Sequence, residues 1–126
     1  MTQEIPQVII PKTNEFVIYK VIQVDLDRKP YIRFGDVYTI HSKILEAFLK
    51  EHNIQSEPFE RHGDKITHPK GDRYKLVGAG RASIGMPERI IHFSGDSIHY
   101  GLGVNHEHLS KLEEHFEAKG FKIEFE

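Results

Sequence analysis

Lys20 is the one charged residue among the apolar members of its face in EFVIYKVIQVDL, residues 15–26, and His41 opens HSKILEAFLKEH, residues 41–52. An ammonium on an apolar strand face must either reach an edge or serve an anion. An imidazole at a helix start can accept a proton near neutrality, because the helix N-terminus and nearby cations disfavour its charged form. A third element is GDSIHYGLG, residues 95–103, where glycines, Ser97, Ile98 and His99 leave a strand in a run of backbone N–H groups. Such a turn can form an anion-binding concavity. A cation, a neutral imidazole and an N–H cradle are what phosphoryl chemistry asks of a protein. Taken singly, each also has an ordinary explanation: a snorkelling lysine, a helix cap, a loop shaped by glycine.

Other combinations are weaker. Arg61-His62-Gly63 spells the RHG signature of histidine phosphatases, but it lies mid-chain in a polar loop rather than after a first strand, and we read it as coincidence. His106, His108 and His115 invite a zinc site, yet His106 falls at or before a helix start while the other two share a face. Zinc wants three or four convergent ligands, so this group reads as solvated histidines. Ser97 near His99 has no G-x-S-x-G elbow around it. No metal or other cofactor is expected.

The chain of 126 residues carries 29% charged and 38% hydrophobic residues and a net charge of −2. That length suits one domain that buries roughly two thirds of its unfolded surface. Without a basic surplus or stripe, general nucleic-acid binding is not expected. Zero cysteines exclude disulfides, thiolate metal sites and cysteine nucleophiles. With no long apolar run and no signal-like start in MTQEIPQVII, the expectation is a cytoplasmic monomer without membrane contact.

The elements that must position these groups can be read from periodicity. Residues 1–15 form an arm. Residues 15–26 alternate with Ile18, Lys20, Ile22, Val24 and Leu26 on one face, so they predict a strand; DRKP predicts a turn and YIRF a short second strand. Ile44, Leu45, Phe48 and Leu49 line one side of a helix over 41–52. Residues 58–72 read as a long loop or extended hairpin arm. RYKLVGAGRASI and ERIIHFSG predict two strands joined at GMP. Asn105 can cap a helix whose Leu109, Leu112 and Phe116 face inward and whose Gly120 suits the C′ position, before FKIEFE closes as a strand. The order implies an α/β fold in one domain, a mixed β-sheet sandwiched by two main helices.

Two blocks also resemble a known family. GAGR…IIHFSGDSIHYG is similar to the glycine-rich GGGR, two-strand and GYSMAYG region of the Janus/Ocnus family, and KPYIRFGDVYTIH matches its upstream segment in spacing. The likeness runs from about residue 16 to the C-terminus. It implies hydrolysis of phosphohistidine in a protein or peptide substrate, without a metal. Carried over by position, His41 falls on the catalytic histidine, with Arg33 eight residues before it. Ser97, Ile98 and His99 fall on the phosphate-binding turn, and Lys20 falls on the strand lysine, although another gap placement puts Ile18 there. Arg33 and Arg81 match basic residues near the site. This chain has Asp96 where the family has an aromatic residue and His99 where it has a small one. Those departures keep a second reading open: the same pocket binding a phosphoryl group or small anion without turnover.

Overall fold

Alternation in β1 (Val17–Leu26) sends Ile22, Val24 and Leu26 into one apolar cluster and Val21 into another, so both faces of this strand are covered. The structure is a computed structural model that describes residues 5–13, 15–54, 61–62, 65–66, 73–97 and 100–125, with backbone alone for 61–62 and 65–66. A tight turn with Asp27 and Arg28 both at positive φ joins β1 to β2 (Lys29–Asp36). The turn is shorter than DRKP and the strand longer than YIRF, because Lys29 and Pro30 already pair with Leu26 and Asp25. A proline is tolerated there since β2 lies at the sheet margin.

Helix α1 (His41–Glu51) follows and buries Ile44, Leu45, Phe48 and Leu49. Residues Arg61–His62 (β3) and Lys65–Ile66 (β4) pair as a short hairpin. The long β5 (Tyr74–Gly85) and β6 (Ile90–Ser94) are antiparallel; Arg89, at φ 61°, belongs to their turn, which shortens the expected second strand. A small hairpin, β7 (Asp96–Ser97) and β8 (Leu102–Gly103), precedes α2 (His106–Ala118), and β9 (Lys122–Phe125) adds parallel to β6. Asn105 caps α2 by accepting from the His108 amide at 3.0 Å, and Gly120 takes a positive φ of 85° beyond its end.

The five-stranded sheet runs β2-β1-β5-β6-β9. Side chains of α1 join Ile22, Val24, Leu26 and Leu76 on one face, and Leu109, Leu112 and Phe116 of α2 join Val21, Ala82, Ile84 and Phe93 on the other. The domain is therefore a mixed sheet between two helices. No helix among the described residues is long and apolar enough to cross a membrane.

The arm is stitched to the sheet margin. Val8 bridges Ile32 in parallel and is buried, the Ile32 amide donates to the Gln7 carbonyl at 3.0 Å, and the Gln7 side chain donates to the Pro30 carbonyl at 3.0 Å. The bonds cover an edge that would otherwise be open to pairing with another chain.

Candidate functional site

Register decides which residues can meet. Lys20 pairs with Arg81 of β5 on one side and with Gly35 of β2 on the other, so all three share the face that carries α1. Lys20 and Arg81 thus stand side by side as directly opposed like charges, an arrangement that costs stability in a sheet. Among the described residues neither forms an ion pair. Arg81 is exposed and its stem passes Gly95, where the chain leaves β6 for the small hairpin.

His41 reaches the same end of the sheet. Its Nε2 lies 3.0 Å from the carbonyl oxygen of Gly80, the residue before Arg81. A carbonyl can only accept, so the ring donates through Nε2 and, when neutral, carries its lone pair on Nδ1. Gly35 allows this docking, and Gly80 admits the chain that follows β6. A Cβ on Gly35 would run into the side chain of Ile44, so α1 lies directly on β2 there. A Cβ on Gly80 would meet Val104 and the carbonyls of Ser94 and Gly95, so the chain that carries β7 and β8 crosses the sheet in contact with its backbone.

That crossing chain brings the turn to the helix. Ser97 is buried, and its carbonyl accepts from the Gly101 amide at 2.8 Å. Tyr100 packs into the α1-side cluster; burial pushes its pKa up to about 12, with the Ser42 hydroxyl, one residue after His41, pulling the other way. Tyr100 and Ser42 thus bring the end of the turn against the start of α1, a contact that the sequence reading did not single out. Ile98 and His99, the expected tip of the cradle, lie outside the described residues.

Arg33 does not join this group. Its guanidinium forms a two-point pair with Glu51, Nε to Oε1 at 2.9 Å and the terminal nitrogen to Oε2 at 3.3 Å, and donates to the carbonyls of Ile32, Gln7 and Pro6. Glu51 ends the helix that His41 begins, about 15 Å away along its axis. The eight-residue spacing between Arg33 and His41 spans a strand end and a turn, which lead the chain away from Arg33 before α1 comes back past it. Arg33 is the clasp that ties the arm to α1. Arg33→Ala is expected to lower stability by about 1.5–3 kcal/mol, since it removes a part-buried ion pair and charge-assisted hydrogen bonds to the carbonyls of the arm. Hydrogen exchange should show the Ile32 amide deprotected, with phosphate affinity unchanged; a weakened phosphate site with the arm still protected would return Arg33 to the cradle.

The histidines of α2 correct another expectation. His108 is not solvated: it is 3% exposed, its Nδ1 is 3.1 Å from the Gln23 amide nitrogen and its Nε2 is 3.3 Å from the Val24 carbonyl. Gln23 also accepts from the Asn105 amide at 2.7 Å and donates to its carbonyl at 3.0 Å. This network fixes neutral His108 with the proton on Nε2. Burial lowers the His108 pKa below the ordinary 6.5, while Asp25 at 3.4 Å and the Val24 carbonyl oppose the shift and Lys111 adds to it. Its stabilising contribution is therefore fully present above pH 6.5 and lost as pH falls through the depressed value, because the unfolded chain takes up a proton the folded chain refuses. Urea unfolding at pH 7.5 and 5 should show this loss, and His108→Gln should flatten it; an unchanged pH slope in the variant would assign the effect to other histidines.

Among the described residues, no three His, Asp or Glu side chains converge as a metal site would require. A scan against protein-family models finds no match, and neither does a search of curated proteins. The functional reading therefore rests on the residues themselves.

Proposed function

We propose that this chain is a phosphohistidine phosphatase of the Janus/Ocnus type, with His41 as its catalytic residue. The observation that carries the reading is the juxtaposition of Lys20 and Arg81 beside His41, with no ion pair to either among the described residues. Two like charges facing each other without a described carboxylate are relieved when a dianion lies between them, and a phosphoryl group is such a ligand. Lys20 and Arg81 take its oxygens, and the family resemblance adds the turn at Ser97 to the cradle.

The P–N bond of phosphohistidine has an imidazole as its leaving group, which departs readily once protonated. The protein then has only to hold the phosphoryl group and supply the attacking group. His41, with its Nε2–H on the Gly80 carbonyl, either takes the proton of an attacking water or attacks phosphorus itself. Alkaline denaturing quench during turnover, which preserves a P–N bond, separates the two, since only the second leaves phosphate on the protein. No metal enters this scheme.

The test is time-resolved phosphate release from a phosphohistidine peptide, with and without EDTA. The expected result is release at the same rate in both. Tight binding of the peptide without release would favour the binding-module reading, and release restored only by one divalent ion would overturn the metal-independent scheme.

A further inference from the structure

Large apolar side chains stand exposed at only a few places among the described residues, and most of them crowd one corner. Phe16 is 63% exposed, Ile18 46%, Tyr38 92% and Ile40 43%; Ile9, on the arm, is the fifth. Ile18 is on the Lys20 face, two residues along β1, a distance of about 7 Å. Ile40 immediately precedes His41. Tyr38 lies in the connection between them, and that connection is held: the amides of Tyr38 and Thr39 both donate to Asp36, to its carboxylate and its carbonyl respectively, at 2.8 Å each. Asp36 pairs with Tyr19, so the loop rises directly beside Ile18 and Lys20. A single exposed apolar residue means little, but a fixed patch of them means more next to a pair of cations that has no ion-pair partner among the described residues.

We propose that this patch docks the flanking residues of a protein substrate, so that the site selects phosphohistidine in a polypeptide with an apolar residue close to it. The inference rests on the phosphatase reading of the neighbouring site. Charge and spacing together identify the occupant. The cations call for the phosphoryl group, and an extended peptide carries every second side chain on one face at the same 7 Å step, roughly, that separates Lys20 from Ile18. A phosphohistidine over Lys20 and Arg81 therefore sets the side chain two positions away over Ile18, with Tyr38 and Ile40 as the walls. An anionic membrane is the less fitting occupant, since the chain carries a net charge of −2.

The experiment compares three substrates: phosphoramidate, a phosphohistidine peptide with leucine two positions away, and the same peptide with serine there. Wild type is expected to show a KM for the leucine peptide five- to tenfold below that for the serine peptide. Ile18→Ser and Tyr38→Ala, both surface changes, should erase that preference and leave phosphoramidate turnover within twofold of wild type. Equal KM values for the two peptides on the wild-type protein, or variants that slow phosphoramidate as much as the peptides, would overturn the docking role. If none of the three is hydrolysed, the phosphatase reading fails on its own. Docking is then decided by NMR titration with the two peptides carrying a phosphonate analogue of phosphohistidine: tighter binding of the leucine peptide, lost in Ile18→Ser, supports it, and equal binding overturns it. Binding of anionic phosphatidylserine vesicles through Ile18 and Tyr38, in place of the peptides, would also overturn it.

Discussion

His41→Ala is expected to abolish phosphohistidine turnover, a loss of about 10²- to 10⁴-fold for removal of a positioned proton acceptor, while the protein stays folded. The two halves of the expectation have separate grounds. The catalytic half follows from place: the His41 ring is tied through Nε2 to the Gly80 carbonyl at 3.0 Å, at the end of the sheet where Lys20 and Arg81 stand. The structural half follows from position. His41 is the first residue of α1, only partly buried, and belongs to neither apolar cluster. Losing one hydrogen bond there should cost roughly 1 kcal/mol. Circular dichroism and thermal melting check the fold, and phosphate release checks the activity. Turnover near the wild-type rate in a folded variant would sink the assignment. An unfolded variant is informative as well, since His41→Gln should keep the helix and still lose the activity.

Periodicity made both helices and the two-sided sheet legible in the sequence, because burial of Ile44, Leu45, Phe48 and Leu49 on α1 and of Leu109, Leu112 and Phe116 on α2 depends on spacing within each element. Lys20 is on the apolar face that alternation in β1 assigns to it. What spacing does not encode is the company a residue meets from elsewhere in the chain. Gln23 falls in the alternation as a polar position, and it is fully buried only because Asn105 and His108, more than 80 residues later, surround it. His108 carried a usable signal: it stands three residues after the capping Asn105 and four before Leu112, on the inward stripe of α2. Arg33 carried none. Its role is set by the arm and by Glu51, and nothing in the order of residues says that α1 will present its last turn, and not its first, to that guanidinium. The apolar corner around Tyr38 was equally silent, since alternation puts Ile18 on the apolar face of β1 and nothing in its spacing says that the fold leaves it at the rim.

Lys20→Ala should lower turnover of a phosphohistidine peptide by tenfold to a hundredfold, about 1.5–3 kcal/mol for one charge-assisted hydrogen bond to the phosphoryl group. Its effect on stability should have the opposite character. In the free protein Lys20 faces Arg81 across the β1–β5 pair with no described carboxylate between them, so removing either cation relieves repulsion. The variant's melting temperature should therefore be no lower than wild type. Inorganic phosphate, which binds the folded state and fills the gap between the charges, should raise the melting temperature of wild type and have much less effect on Lys20→Ala or Arg81→Ala. Ser97→Ala should cost less activity than either, because the role proposed for the turn is one of backbone donors, which survive truncation of the side chain. The pattern separates a working cation pair from a snorkelling lysine: a snorkelling Lys20 gives a silent Lys20→Ala and an unchanged response to phosphate, and that outcome would remove the cation pair on which the functional reading stands.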